Sequence, residues 1–188
     1  MNKKVFLFSI PMLLMPYIAL FCLTAVFLST KIEFFRFVLE SIFLSNGLLL
    51  IGALIVYCLL TAVISIICFS MSISESWDPL SLARTAMIVK ILQIPSYVII
   101  FILCILLSLV VLTIPVVIGL IIFDYFTLLL SALLVGAAAI NSTRQGMCKR
   151  DNVVWIIVLQ FVFCIDVVAA IIFYLQLKIQ SKNKNQLK

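Results

Sequence analysis

Apolar residues in this chain arrive in long blocks, with short polar clusters between them. The first block runs from Val5 to about Thr30 and the second from about Phe43 to Ser72. A third, almost unbroken, runs from about Ile94 to Ile140, and the last from Val153 to about Leu177. A helix that crosses a bilayer needs about 20 consecutive apolar residues. The pattern therefore predicts an all-α integral membrane helical bundle of about five transmembrane helices. The spans fall at 5–30, 43–72, 91–113, 116–140 and 153–177, in a single membrane domain over 1–188.

The third block sets the count. Forty-odd helical residues at 1.5 Å each reach roughly 70 Å, against a hydrocarbon core of about 30 Å. One crossing cannot absorb that length. A break at Thr113, Ile114 and Pro115 makes a tight hairpin of two spans. A break at Asp124 and Tyr125 instead leaves Thr127 to Ile140 as a re-entrant segment, giving four spans in place of five.

The polar clusters add detail. Lys3 and Lys4 precede the first block, which is too long for a signal-peptide core of about 7–15 residues, and Phe21 before Cys22 argues against a lipoprotein site. The block reads as a retained span kinked by Pro11 and Pro16. Residues 31–42 form an amphipathic link. Wound as a helix, they put Phe34, Phe35, Val38 and Ile42 on one side and Glu33, Arg36 and Glu40 on the other, with Phe37 as a misfit. That is the pattern of an interfacial helix. In the second span Tyr57, Thr61, Ser65, Cys68 and Ser72 form a stripe of mostly small and polar groups, the mark of a helix contact in lipid. Trp77 reads as an interfacial anchor, Asp78 as an N-cap and Pro79 as a first helical residue. The helix they start runs on through Arg84 and Lys90, two bases expected to snorkel to one interface, and bends at Pro95. Residues 141–152 read as a polar loop whose Asn141-Ser142-Thr143 matches a glycosylation pattern. Trp155 and Tyr174 anchor the ends of the last span, and a basic tail occupies 178–188.

Composition supports a lipid environment. Of the residues, 66% are hydrophobic and 11% charged, with a mean hydropathy of +1.37, where a soluble domain uses roughly 25% charged residues. No extramembrane enzyme domain is expected. Its net charge of +6 comes from bases at span ends and termini, which suits anionic headgroups rather than nucleic acid. The charges leave orientation open. With a cytoplasmic N-terminus, Lys3, Lys4, Arg84, Lys90, Arg144, Lys149 and Arg150 face Lys31, Arg36 and the tail lysines 178, 182, 184 and 188. Four spans would put both basic termini inside.

Histidine is absent, which removes the commonest general base and metal ligand. Cys22, Cys58, Cys68, Cys104, Cys148 and Cys164 show no Cys-x-x-Cys pair and read as free thiols. No catalytic residue, metal or cofactor is expected, and the chain does not read as an enzyme.

Two acids stand out. Asp124 and Asp166 fall well inside spans, where an Asp costs about 2.5–3.5 kcal/mol. Asp124 heads a face with Thr127, Ser131, Val135 and Ala138, and Ala169 and Ala170 clear space beside Asp166. Counted from a turn near Pro115 and from Leu177, the two carboxyls lie within about 4 Å of one depth. Two acids without a basic partner would share a proton or hold a cation. Asp124, Asp166, Thr127 and Ser131 thus form the candidate intramembrane polar site, as an ion or substrate site or as purely structural groups.

The stretch Asp78-Pro79-Leu80-Ser81-Leu82-Ala83-Arg84 through Ile94-Pro95, with Thr113-Ile114-Pro115, Phe123-Asp124 and 161–166, resembles a family of uncharacterised small multi-pass proteins of Gram-positive, gut-type bacteria. The resemblance covers mainly 78–177 and implies a bacterial cytoplasmic-membrane location with no known activity. Two functions remain in view. One is a small transporter or membrane subunit of a transport complex. The other is a non-catalytic partner protein, such as a toxin-immunity or complex-assembly factor. Vitamin-transporter subunits fit poorly, because Ala19 and Ala25 miss their spacing of small residues. Beyond the bilayer, the expected partner is another membrane protein or a second copy of the chain.

Overall fold

The computed structural model describes residues 3–29, 31–43, 46–148, 150–162 and 165–186, and expectations placed on Thr30, Lys149, Cys164 and Lys188 lie outside them. The described residues form seven α-helices and one short 3₁₀ turn: α1 (Lys3–Leu28), α2 (Glu33–Phe43), α3 (Gly47–Ser74), α4 (Pro79–Ser108), η1 (Val111–Thr113), α5 (Ile114–Arg144), α6 (Arg150–Leu159) and α7 (Ile165–Gln186). Four of them, α1, α3, α4 and α5, are long and apolar enough to cross a membrane.

Local chemistry sets the helix ends. Asn46 caps α3 by accepting from the Leu48 N–H at 2.9 Å. Between α3 and α4, Ser76 turns the chain in a left-handed conformation (φ 49°). Asp78 then caps α4 through the Leu80 and Ser81 N–H groups, and Pro79 gives up an N–H that had no helical partner. At the next turn, α4 ends at Ser108 and α5 starts at Ile114, so helix runs unbroken through Asp124 and Tyr125. The far end of α5 is a Schellman turn. Gly146 sits at φ 66°, its N–H bonds the Thr143 carbonyl, and the Met147 N–H reaches back to Ser142.

That turn corrects the polar loop expected from residue 141. Asn141 is a buried helical residue whose amide donates to the carbonyls of Ser72 (2.8 Å) and Trp77 (3.0 Å). It ties α5 to the α3–α4 turn, so it is closed to glycosylation. Arg144 likewise donates to the Ile73 carbonyl. Trp77, read as an interfacial anchor, is buried in the core with its indole N–H on Glu75.

The stretch expected as one span over 153–177 is two helices. The N–H groups of Gln160, Phe161 and Val162 make tight bonds three residues back. Then α6 packs on α5 while α7 packs on α4. One straight helix could not serve both neighbours. At 1.5 Å per residue, α6 reaches only about 15 Å, half a hydrocarbon core.

Helix α4 is the hub, packed against α5, α1 and α7. The core joins Leu82, Ala83 and Ala86 of α4 to Leu134, Ala137 and Ala138 of α5 and to Phe173 and Leu177 of α7. On α3, Thr61, Ser65, Cys68 and Ser72 are fully buried, so the small-residue stripe is its packing face. The outer faces carry many exposed apolar side chains, among them Leu48, Ile55, Leu59, Phe101 and Ile122. Helix α2 buries no residue, and Phe35 meets Phe21 of α1 at 6.0 Å between ring centroids.

Helix α1 carries Pro11 and Pro16 without ending. Pro16 has no N–H, which frees the Met12 carbonyl four residues back. The Gln93 side chain of α4 donates to that carbonyl at 2.8 Å. Such repair by a neighbouring helix is how proline is tolerated in an apolar environment. Gln93→Leu is expected to cost about 1–3 kcal/mol, the penalty of a buried unsatisfied acceptor. In a Pro16→Ala background the cost should fall at least by half, since residue 16 then supplies its own N–H. Thermal unfolding of the four proteins in detergent would measure this coupling, and equal costs in both backgrounds would refute it.

Candidate functional site

The polar interior starts from the spacing of α4. Ala83, Ala86, Lys90, Gln93, Tyr97 and Ile100 recur at steps of three and four, and all are buried. This face carries a cation, an amide and a phenol between small and apolar residues.

Lys90 does not snorkel. It lies 11 positions after Pro79, about 17 Å along the axis, and its side chain is wholly buried. Its Nζ meets Oδ2 of Asp166 at 2.6 Å, and the two side chains are 0% and 2% exposed. The expectation that neither acid has a basic partner is therefore wrong for Asp166. Asp166 also lies in the first turn of α7, where the free N–H groups and the helix dipole favour a negative charge.

Gln93 extends the network one turn on. Its amide holds Met12, while its Oε1 accepts from the Tyr97 hydroxyl at 3.2 Å. Tyr97 also interacts with the Thr127 side chain and lies within electrostatic reach of both acids. Tyr17 donates to the Leu92 carbonyl, and Tyr57 of α3 to that of Pro11 at 2.9 Å. Side-chain donors thus tie α1 to α3 and to α4.

Asp124 is placed differently. It is 8% exposed, and its Oδ1 has no hydrogen-bond partner. The neighbours expected to hold it bond elsewhere: Thr127 Oγ1 donates to the Asp124 backbone carbonyl at 2.7 Å and Ser131 to that of Leu128. Asp124 lines a cavity of about 330 Å³ between α4 and α5 with Phe101, Cys104, Ser108 and Tyr125. Asp166 borders a second cavity of about 510 Å³ with Tyr97, Phe101 and Val167. Asp166 lies within electrostatic reach of Asp124 but is committed to Lys90. Phe101 stands between the two cavities as a wall of both.

Among the described residues no group of three or more His, Cys, Asp or Glu could hold a metal ion. Cys22, Cys58, Cys68, Cys104 and Cys148 are free thiols.

A family model matches residues 3–179, nearly the whole chain. The chain belongs to DUF6652, a family of unknown function. That match takes in the first two long helices as well as the later stretch on which the resemblance rested. No curated protein and no solved structure matches the chain.

Sequence reasoning missed Lys90 and Gln93. The available signal was the spacing Lys90, Gln93, Tyr97, which continues the Ala83 and Ala86 face inward. Lys90→Met leaves Asp166 buried without its cation and is expected to destabilise by about 3–5 kcal/mol. Lys90→Met combined with Asp166→Leu removes both charges and should restore most of that loss. Unfolding in detergent checks both, and a double variant no better than the single one would contradict a pairing role.

Proposed function

We propose that this chain is a multi-pass protein of the bacterial cytoplasmic membrane that serves as a small transporter or the membrane subunit of a transport complex, with Asp124 as its exchangeable acid. The bilayer is its solvent; a second copy or another membrane protein joins it in the cell, and the chain itself carries the flux. The reading assigns it no catalysis, cofactor or nucleic-acid partner.

One observation carries the proposal. Among the described residues the interior holds two buried acids and one buried base, and of these Lys90 and Asp166 neutralise each other. Asp124 is left over: its Oδ1 is buried without a hydrogen-bond partner, and the residue lines a cavity. A carboxylate in an apolar interior needs a proton or a cation to balance it. Such a residue changes state when its counter-charge leaves, which coupled transport requires. The exposed apolar faces of the four long helices fit a lipid surround.

The test is flux. Full-length protein reconstituted into liposomes with a trapped pH dye is expected to carry protons down an imposed gradient faster than empty liposomes. Asp124→Asn, nearly isosteric, should fold normally and slow that flux by about tenfold or more. A folded wild type without flux, or an Asp124→Asn variant as fast as wild type, would sink the proposal. The first outcome would favour the non-catalytic partner reading.

A further inference from the structure

We propose that the Asp124 cavity binds a lipophilic organic monocation, and that this is the substrate class of the transport site. The inference rests on the transport reading above and goes beyond it by excluding a bare metal cation as the cargo.

The cavity offers a positive charge one buried counter-charge in a small apolar space. At about 330 Å³ it lies at the lower end of the range of small-molecule sites. Its lining is almost wholly apolar. Its carboxylic acid is Asp124, more than nine-tenths buried and with one oxygen unpartnered. The Ser108 hydroxyl at one end already donates to the Ile105 carbonyl at 2.7 Å. A hard metal cation gives up hydration only for a shell of several oxygen ligands, and this wall supplies little beyond one carboxylate. A lipophilic cation has no such shell to replace. Its charge is spread over carbon, so one buried counter-charge and apolar walls are what it needs.

Two further features point the same way. Phe101 and Tyr125, both more than half exposed, are the aromatic members of the lining, and aromatic faces attract diffuse cations. The cavity also lies between α4 and α5 on the outer surface of the bundle, so in a membrane a ligand dissolved in lipid could enter sideways. Asp166 does not compete for the charge, because Lys90 already balances it.

Tetraphenylphosphonium and tetraphenylborate are probes of matched size and opposite charge. Equilibrium dialysis of the full chain in neutral detergent is expected to show saturable binding of the cation and none of the anion. Asp124→Asn should weaken cation binding by at least about tenfold, and Asp124→Glu should recover much of it. Ile105 is half exposed on the lining, so Ile105→Trp should fill the cavity and block the probe even if Asp124→Asn does not fold. Equal binding of cation and anion would overturn the inference, as would unchanged cation binding in a folded Asp124→Asn or Ile105→Trp variant. The two readings fail separately. Asp124-dependent proton flux without tetraphenylphosphonium binding removes only the substrate class. Asp124-dependent binding without flux removes the transport reading and leaves a binding site.

Discussion

The ion pair between Lys90 and Asp166 constrains much of the interior around it. Each charge costs several kcal/mol to remove from water, and only close geometry recovers that. The contact at 2.6 Å requires the start of α7 to lie against the buried face of α4. That requirement makes sense of the division of the last apolar stretch into α6 and α7. A continuous helix packed along α5 would carry Asp166 away from Lys90. The break delivers the acid to α4 and places it at a helix N-terminus, where the dipole lowers the cost further.

In apolar surroundings the hydrophobic effect does little to hold helices together, so close packing and hydrogen bonds must. Both devices are present. The small-residue face of α3 and the run Ala137, Ala138 and Ala139 on α5 are fully buried, which lets backbones approach. Side-chain donors then close specific joints: Gln93 on Met12, Tyr57 on Pro11 and Asn141 on Ser72 and Trp77. Two of these three donors meet carbonyls of α1 at or near its prolines. There the helix's own bonding is weakest and a neighbour's bond is worth most.

Much of the architecture was legible because apolar block length and turn chemistry are local signals. Asp78 and Pro79 mark the start of α4, and the proline after Thr113 marks the start of α5. The buried faces of α3 and of α5 from Asp124 to Ala138 follow from helical spacing alone. Hydropathy failed where a polar residue serves the interior. Lys90 reads as a flanking base, because nothing local reveals an acid 76 positions later. Asn141 reads as a loop residue, although Gly146, five positions on, is the real end signal for α5. The division between α6 and α7 left no mark in hydropathy either, since both sides of it are apolar. Among the described residues four helices are long and apolar enough to cross a membrane, because the last stretch is not one helix.

Unsatisfied buried atoms are not equal in meaning. Oδ1 of Asn141 and Oε1 of Gln160 also lack partners among the described residues. Each belongs to a neutral amide whose nitrogen is bonded, to Ser72 and Trp77 in one case and to Ile156 in the other. Their cost is fixed, because an amide cannot change its charge, so they read as a tolerated penalty of tying helices together. Asp124 is different in kind. A carboxyl can lose its unmet demand by taking a proton or a cation and regain it on release. Asp124 also lines a cavity, where an exchanging partner has room. That ability to change, more than burial itself, separates Asp124 from the other orphans and from Asp166, whose partner cannot leave without breaking the bundle.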